Sequence, residues 1–186
     1  IAPPGRGNMI YFPPKATAAQ LEDSGLPLVI AEGEFKTLAL WRLAHHEAGA
    51  ARFLPVGLAG VWNWRGTIGK VTGPDGERRD EKGAIPDLDC IAWSGRRVCI
   101  AYDADAANNP KVKAARWQLT SELMARGASV GVLEWPAREG KGVDDWLANR
   151  GPEAVLAALE GVTYGDWRAR LIRKSNGDLR PCVENA

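Results

Sequence analysis

Apolar positions along the chain fall into short continuous runs separated by stretches of helical spacing. Residues 26–31 (LPLVIA), 52–56, 97–102 (RVCIAY) and 129–135 are such runs, as expected of strands covered on both faces. Between them, residues 16–23 predict a short helix stopped at Gly25. Residues 34–48 predict a longer one, with Phe35, Leu38, Trp41 or Arg42, and His45 on its apolar face and Gly49 just past its end. Asn109 is a helix cap with Pro110 in the first turn; Val112, Ala115, Leu119 and Leu123 form the stripe, and Gly127 closes the helix. Residues 143–149 and 152–159 predict two further short helices. Strands alternating with helices imply an α/β fold, a Rossmann-like, mainly parallel central sheet flanked by helices.

Three stretches break the rhythm. Pro3-Pro4 and Pro13-Pro14 exclude helix from residues 1–15, so an extended lead-in reaches to about residue 25. Gly73-Pro74-Asp75-Gly76 lies between polar, alternating stretches and predicts a surface β-hairpin, inserted at about 65–95. Asn176-Gly177 predicts a type I′ turn between 167–174 and 179–183. The expected organisation is a lead-in (1–25), a core domain (26–162), and a linker or the start of a following module (163–186).

Composition narrows the class. No run approaches the ~18 apolar residues of a membrane span, and no signal-peptide pattern opens the chain, so a cytoplasmic protein is expected. A first residue of Ile suggests a piece of a longer protein. Cys90, Cys99 and Cys182 are too scattered for a disulfide framework or a zinc knuckle. A net charge of +1 means that any nucleic-acid contact must come from a local patch. Candidate patches are Trp62, Trp64 and Arg65, whose rings have core packing as the simpler use, and the basic tail Arg168, Arg170, Arg173, Lys174 and Arg180. His45-His46 lacks the spacing of a zinc site, and there is no P-loop.

The chemistry gathers in carboxylates at strand ends. Glu32 directly follows the first apolar run; Asp103 and Asp105 directly follow RVCIAY. Ligands of an open parallel sheet bind beyond the carboxyl ends of its strands, so adjacent strands would bring these groups together. Carboxylates that close repel one another unless a cation lies between them, and an oxygen-only donor set favours Mg²⁺ or Mn²⁺. If both sit just past the strand end, the alternate side chains of Asp103 and Asp105 point the same way and can reach one metal. Gly33 permits a tight turn into the following helix, whose N-terminus would face an anion. A fourth acidic element, Lys141-Gly142-Val143-Asp144-Asp145, reads first as a helix N-cap.

These residues resemble the TOPRIM domain, shared by bacterial DnaG-type primases, topoisomerases and some nucleases, which has Glu-Gly after its first strand and Asp-x-Asp after a later one. The sequence is similar in particular to the TOPRIM-like domain of unknown function (DUF3854-type) of phage and plasmid replication proteins. The matching pieces are Glu32-Gly33-Glu34-x-Lys36, Gly60-Val61-Trp62, Asp103-x-Asp105 and Lys141-Gly142-x-Asp144-Asp145. The resemblance implies that Glu32 is a general acid/base or metal ligand, that Asp103 and Asp105 hold Mg²⁺ (or Mn²⁺), and that Asp144 is an outer or second-metal ligand. Lys36 departs from the acidic residue of the DnaG-type pattern. With Lys141 it is a candidate phosphate-binding cation; pairing with a carboxylate is its alternative.

The function expected from this resemblance is metal-dependent nucleotidyl transfer, primase-like, on a single-stranded DNA template with nucleotides. The setting would be a mobile-element replication protein with neighbouring primase or helicase domains and no membrane. The same site would also suit a TOPRIM nuclease, or persist in a non-catalytic nucleic-acid-binding or helicase-coupling module. Topoisomerase action is disfavoured, since it needs a separate tyrosine-bearing domain.

Overall fold

A computed structural model of the protein describes residues 7–107 and 109–165, apart from the side chains of Asp105 and Ala107. In chain order the elements are β1 (Ile10–Tyr11), α1 (Ala18–Glu22), β2 (Leu28–Glu32), α2 (Glu34–Ala44), β3 (Leu54–Leu58), β4 (Arg65–Thr72) and β5 (Arg78–Ala84). They continue with β6 (Arg97–Ala101), α3 (Pro110–Ala125), β7 (Ser129–Val132), α4 (Val143–Arg150) and α5 (Pro152–Glu160). Short 3₁₀ turns lie at Pro86–Cys90, Ala104–Ala107 and Ala137–Glu139. The main sheet has the order β1-β3-β2-β6-β7, and β4-β5 form a separate two-stranded sheet. β2, β3, β6 and β7 run parallel, and only the edge strand β1 is antiparallel.

The apolar runs are strands covered on both faces, and their alternation sorts the core into two clusters. Leu28, Ile30, Leu54, Val56, Val98 and Ile100 point to one side, where the hairpin's Trp64 and Leu119 and Leu123 of α3 cover them. Val29, Ala31, Cys99 and Ala101 point to the other, beneath Leu40 and Leu43 of α2, Trp146 of α4 and Val155 of α5. Each leucine, isoleucine or valine so buried contributes about 1.5–3 kcal/mol, which is why a continuous apolar run is stable in mid-sheet.

The hairpin forms where expected, with the turn at Gly73–Gly76. The Asn109 side chain caps α3 by accepting from Lys111 N–H at 3.0 Å. Other expectations are corrected. The lead-in is not wholly irregular: Ile10 and Tyr11 pair with Leu58 and Gly57, and Ile10 N–H donates to Asp87 Oδ2 at 2.7 Å. Helix α2 ends at Ala44, short of residue 48, and buries Thr37, Leu40, Leu43 and Ala44, while Phe35 is 81% exposed. The true stripe was masked by a polar residue. Thr37 looks unsuited to a core, yet its hydroxyl is satisfied by donating to Gly33 O at 2.8 Å. The strand expected over 129–135 ends at Val132. The Asn176-Gly177 hairpin and the basic tail lie outside the described residues. Among the described residues no helix is long and apolar enough to cross a membrane.

Candidate functional site

Glu32 ends β2, and the next residue forces the chain to turn. Gly33 has φ +96°, a conformation that favours glycine, and its N–H donates to Leu58 O at 2.7 Å. Its carbonyl accepts from both the backbone and the hydroxyl of Thr37, which fixes the first turn of α2 above the strand end. On the neighbouring strand β6, Ala101 pairs with Ala31, so Tyr102 and Asp103 emerge beside Glu32. Sheet order therefore sets Glu32 and Asp103 on adjacent carboxyl ends.

Asp105 belongs to the 3₁₀ turn Ala104–Ala107, closed by Ala106 N–H donating to Asp103 O at 2.8 Å. The strand alternation expected to align Asp103 with Asp105 thus stops before Asp103. The turn is tied to the third acidic element, because Ala104 N–H donates to Lys141 O at 2.9 Å. Lys141 acts here through its backbone; its side chain is exposed. Of the two acids that follow, Asp145 performs the capping, its carboxylate accepting from Gly142 N–H at 3.1 Å. Asp144 is free of that task. Its Oδ1 is buried and has no hydrogen-bond partner among the described residues.

Lys36 joins the pieces. It lies in the first turn of α2, where the helix dipole disfavours a cation. Its Nζ stands 2.6 Å from Asp103 Oδ1, with 20% and 13% of the two side chains exposed. The contact has the distance of an ion pair but not the direction of a hydrogen bond. Further down the side chain, Lys36 Cε is 2.5 Å from where a Cβ on Gly142 would stand, and Asp144 Oδ1 crowds the same point. Gly142 has an ordinary φ of −93°, so it is space and not backbone strain that requires glycine there. Asp103, Lys36, Gly142 and Asp144 are therefore one packed group. Among the described residues no three carboxylate, histidine or cysteine side chains form a metal cluster.

Tyr102 is a neighbour that sequence reasoning passed over. Its hydroxyl donates to Val61 O at 3.3 Å, linking the site to the loop before the hairpin. Burial pushes its phenol above the ordinary range, the Glu32 charge pushes it further, and Arg116 opposes. Its position as the last residue of RVCIAY was the available signal. Trp64 is a core residue, and Trp62 packs half-buried against the same cluster. Arg65, held by Gln118 Oε1 at 2.7 Å, lines a cleft of about 470 Å³ between the hairpin and α3 that also exposes Trp117.

A mainly parallel α/β sheet with helices on both faces, an antiparallel hairpin beside it and acidic residues at adjacent strand ends is the TOPRIM fold found in primases. The family model described as "Domain of unknown function (DUF3854)" matches residues 18–154, and the chain belongs to that family. Among solved structures, it is similar to the DnaG primase catalytic domain bound to ssDNA, at 17% identity and TM-score 0.50, over 85% of this chain and 40% of that one. It is also similar to the zinc-binding and RNA polymerase domains of the Aquifex aeolicus primase, at 16% identity and TM-score 0.47, over 87% of this chain and 31% of that one. The chain thus spans less than half the length of either. No curated protein matches it.

Proposed function

We propose that this domain carries out Mg²⁺- or Mn²⁺-dependent phosphoryl transfer on nucleic acid, joining nucleotides on a single-stranded DNA template as a primase does. The observation that carries the reading is the emergence of Glu32 and Asp103 from neighbouring strand ends, with the segment that leads into α4 and Asp144 tied to the same turn. The donor set is all oxygen, and the buried, unpartnered Asp144 Oδ1 calls for a cation, so the residues fit a hard divalent ion. Asp103, Asp105 and Asp144 would hold it, with Glu32 as ligand or general base. Such an ion supplies charge stabilisation to the transferring phosphoryl group.

The chain's own residues account for the remainder of the chemistry. Glu32 takes the proton of the attacking hydroxyl. Lys36 and the exposed Lys141 bind phosphate oxygens as point charges. The similarity to a primase domain bound to ssDNA supports a single strand as template. We assign the domain to a cytoplasmic mobile-element replication protein, beside primase or helicase modules, on the strength of its family pattern.

Incubation of the protein, with its neighbouring domains where these exist, with single-stranded DNA, nucleotides and Mn²⁺ tests the proposal. Short oligonucleotides are expected. Strand loss would identify hydrolysis instead, and neither product would leave a binding module. Glu32→Gln and Asp103→Asn are each expected to lower the rate by about 10²–10³-fold while the circular dichroism of the folded chain is retained. Full activity in the double variant overturns the site assignment.

A further inference from the structure

Lys36 is poorly placed as a helix residue, well placed as a counter-ion, and lies where the carboxylates would need a cation. It sits in the first turn of α2, against the dipole, and its stem fills the space left by the missing side chain of Gly142. Its ammonium contacts Asp103 Oδ1 at 2.6 Å, while Asp144 Oδ1 lies buried beside its Cε with no hydrogen bond of its own among the described residues. The one ammonium pairs with the first of two buried carboxylate oxygens, and the second lies against its stem outside ion-pair distance. A lysine side chain is long and flexible enough to leave such a contact without moving the helix, whereas Asp103 just past β6 and Asp144 in the first turn of α4 are held together by the Ala104–Lys141 hydrogen bond between the segments that carry them.

We infer that Lys36 is a tethered cation that holds the place of the divalent metal. It pairs with Asp103 while the metal is absent, is displaced when the metal binds, and then turns to a phosphate oxygen of the nucleotide. This rests on the metal-binding reading above and goes beyond it. Metal and phosphate become coupled: the ion must compete with an internal ammonium, and a phosphate that captures the released ammonium removes the competitor. Coupling of this kind between two ligands is reciprocal and commonly worth about 5–150-fold in affinity.

The test is Mn²⁺ binding to the full protein, followed by the paramagnetic resonance of free Mn²⁺, with Lys36→Met compared to wild type. The variant is expected to bind about tenfold tighter. Equal or weaker binding by a variant with native circular dichroism overturns the inference and leaves the metal reading standing. No binding to either protein overturns both. A second measurement needs no variant. Amine-reactive labelling of Lys36, read by peptide mass spectrometry, is expected to accelerate about threefold or more on addition of saturating Mn²⁺. Inorganic pyrophosphate, added with free Mn²⁺ kept saturating, is expected to slow it again. A rate indifferent to Mn²⁺ overturns the displacement; a rate indifferent to pyrophosphate overturns the transfer to phosphate.

Discussion

Two cations, one buried and one half-buried, stand at opposite ends of β6, and their surroundings differ in kind. Arg96, at the amino end, is 0% exposed and its hydrogen bonds all go to backbone, with the Asp23 charge in support: it donates to Leu26 O, Leu21 O, Ala92 O and Gln20 O at 2.6–3.3 Å. Two of those carbonyls close the end of α1, so the guanidinium is both a C-terminal cap and a tie between α1 and the sheet. Lys36, beyond the carboxyl end, meets one carboxylate at ion-pair distance and lies beside a second that is left unsatisfied. A planar fork of donors met by fixed dipoles is a finished structural joint. A point charge among surplus carboxylates is a site with unfinished electrostatics, and buried polar groups without partners concentrate where a protein works.

The comparison breaks first at Arg96. Arg96→Leu takes a donor from four carbonyls, of which Leu21 O keeps the Ala92 N–H, and is expected to cost about 3–5 kcal/mol, read as a fall in the denaturation midpoint. Metal should restore none of that loss. Lys36→Met is expected to cost less, about 2 kcal/mol, because its pair keeps some solvent contact. Here Mn²⁺ should recover the loss, and a thermal shift no larger than that of wild type would remove the contrast between the two cations. Asp144→Asn goes the other way. Removing the charge of a half-buried carboxylate whose Oδ1 has no hydrogen-bond partner among the described residues should stabilise the metal-free protein by about 0.5–1 kcal/mol while weakening Mn²⁺ binding, a trade-off expected of functional groups.

A last contrast, silent at neutral pH, comes from groups that should have no chemistry. Burial pushes the Cys99 thiol up to about 12, with a hydrogen bond to the Leu133 backbone opposing, and pushes the Tyr164 phenol up to about 12 as well. Both values are raised in the folded chain, so the unfolded chain loses these protons first. The stability they contribute is fully present below about pH 8.5 for the thiol and about pH 10 for the phenol, and is lost as pH rises toward 12. Denaturant titrations between pH 8 and 11 should show the decline, and iodoacetamide at pH 8 should modify the exposed Cys90 but spare Cys99. Rapid alkylation of Cys99 in the native protein would contradict its burial.

Much of the fold was legible in one dimension, because a strand covered on both faces must be apolar at every position. The runs at 26–31, 52–56 and 97–102 therefore announced β2, β3 and β6 within two residues at each end. Asn109-Pro110 and Gly73–Gly76 announced the start of α3 and the turn of the hairpin for equally local reasons, a cap and a turn. Strand order is not local, and neither is the identity of a neighbour. That β2 lies against β6, so that Glu32 and Asp103 share an edge, follows from how the helices cover the two faces. The buried face of α2 depended on a hydrogen bond that allows Thr37 into the core. Nothing in the sequence marked Arg96 as a core residue, because three of its four acceptors are carbonyls some seventy residues earlier, which composition does not reveal. Sequence by itself determined which residues carry charge and where strands stop. Tertiary packing alone decided which charges meet, because electrostatic energy depends on distance and burial, and both are settled only when separate segments close over one another.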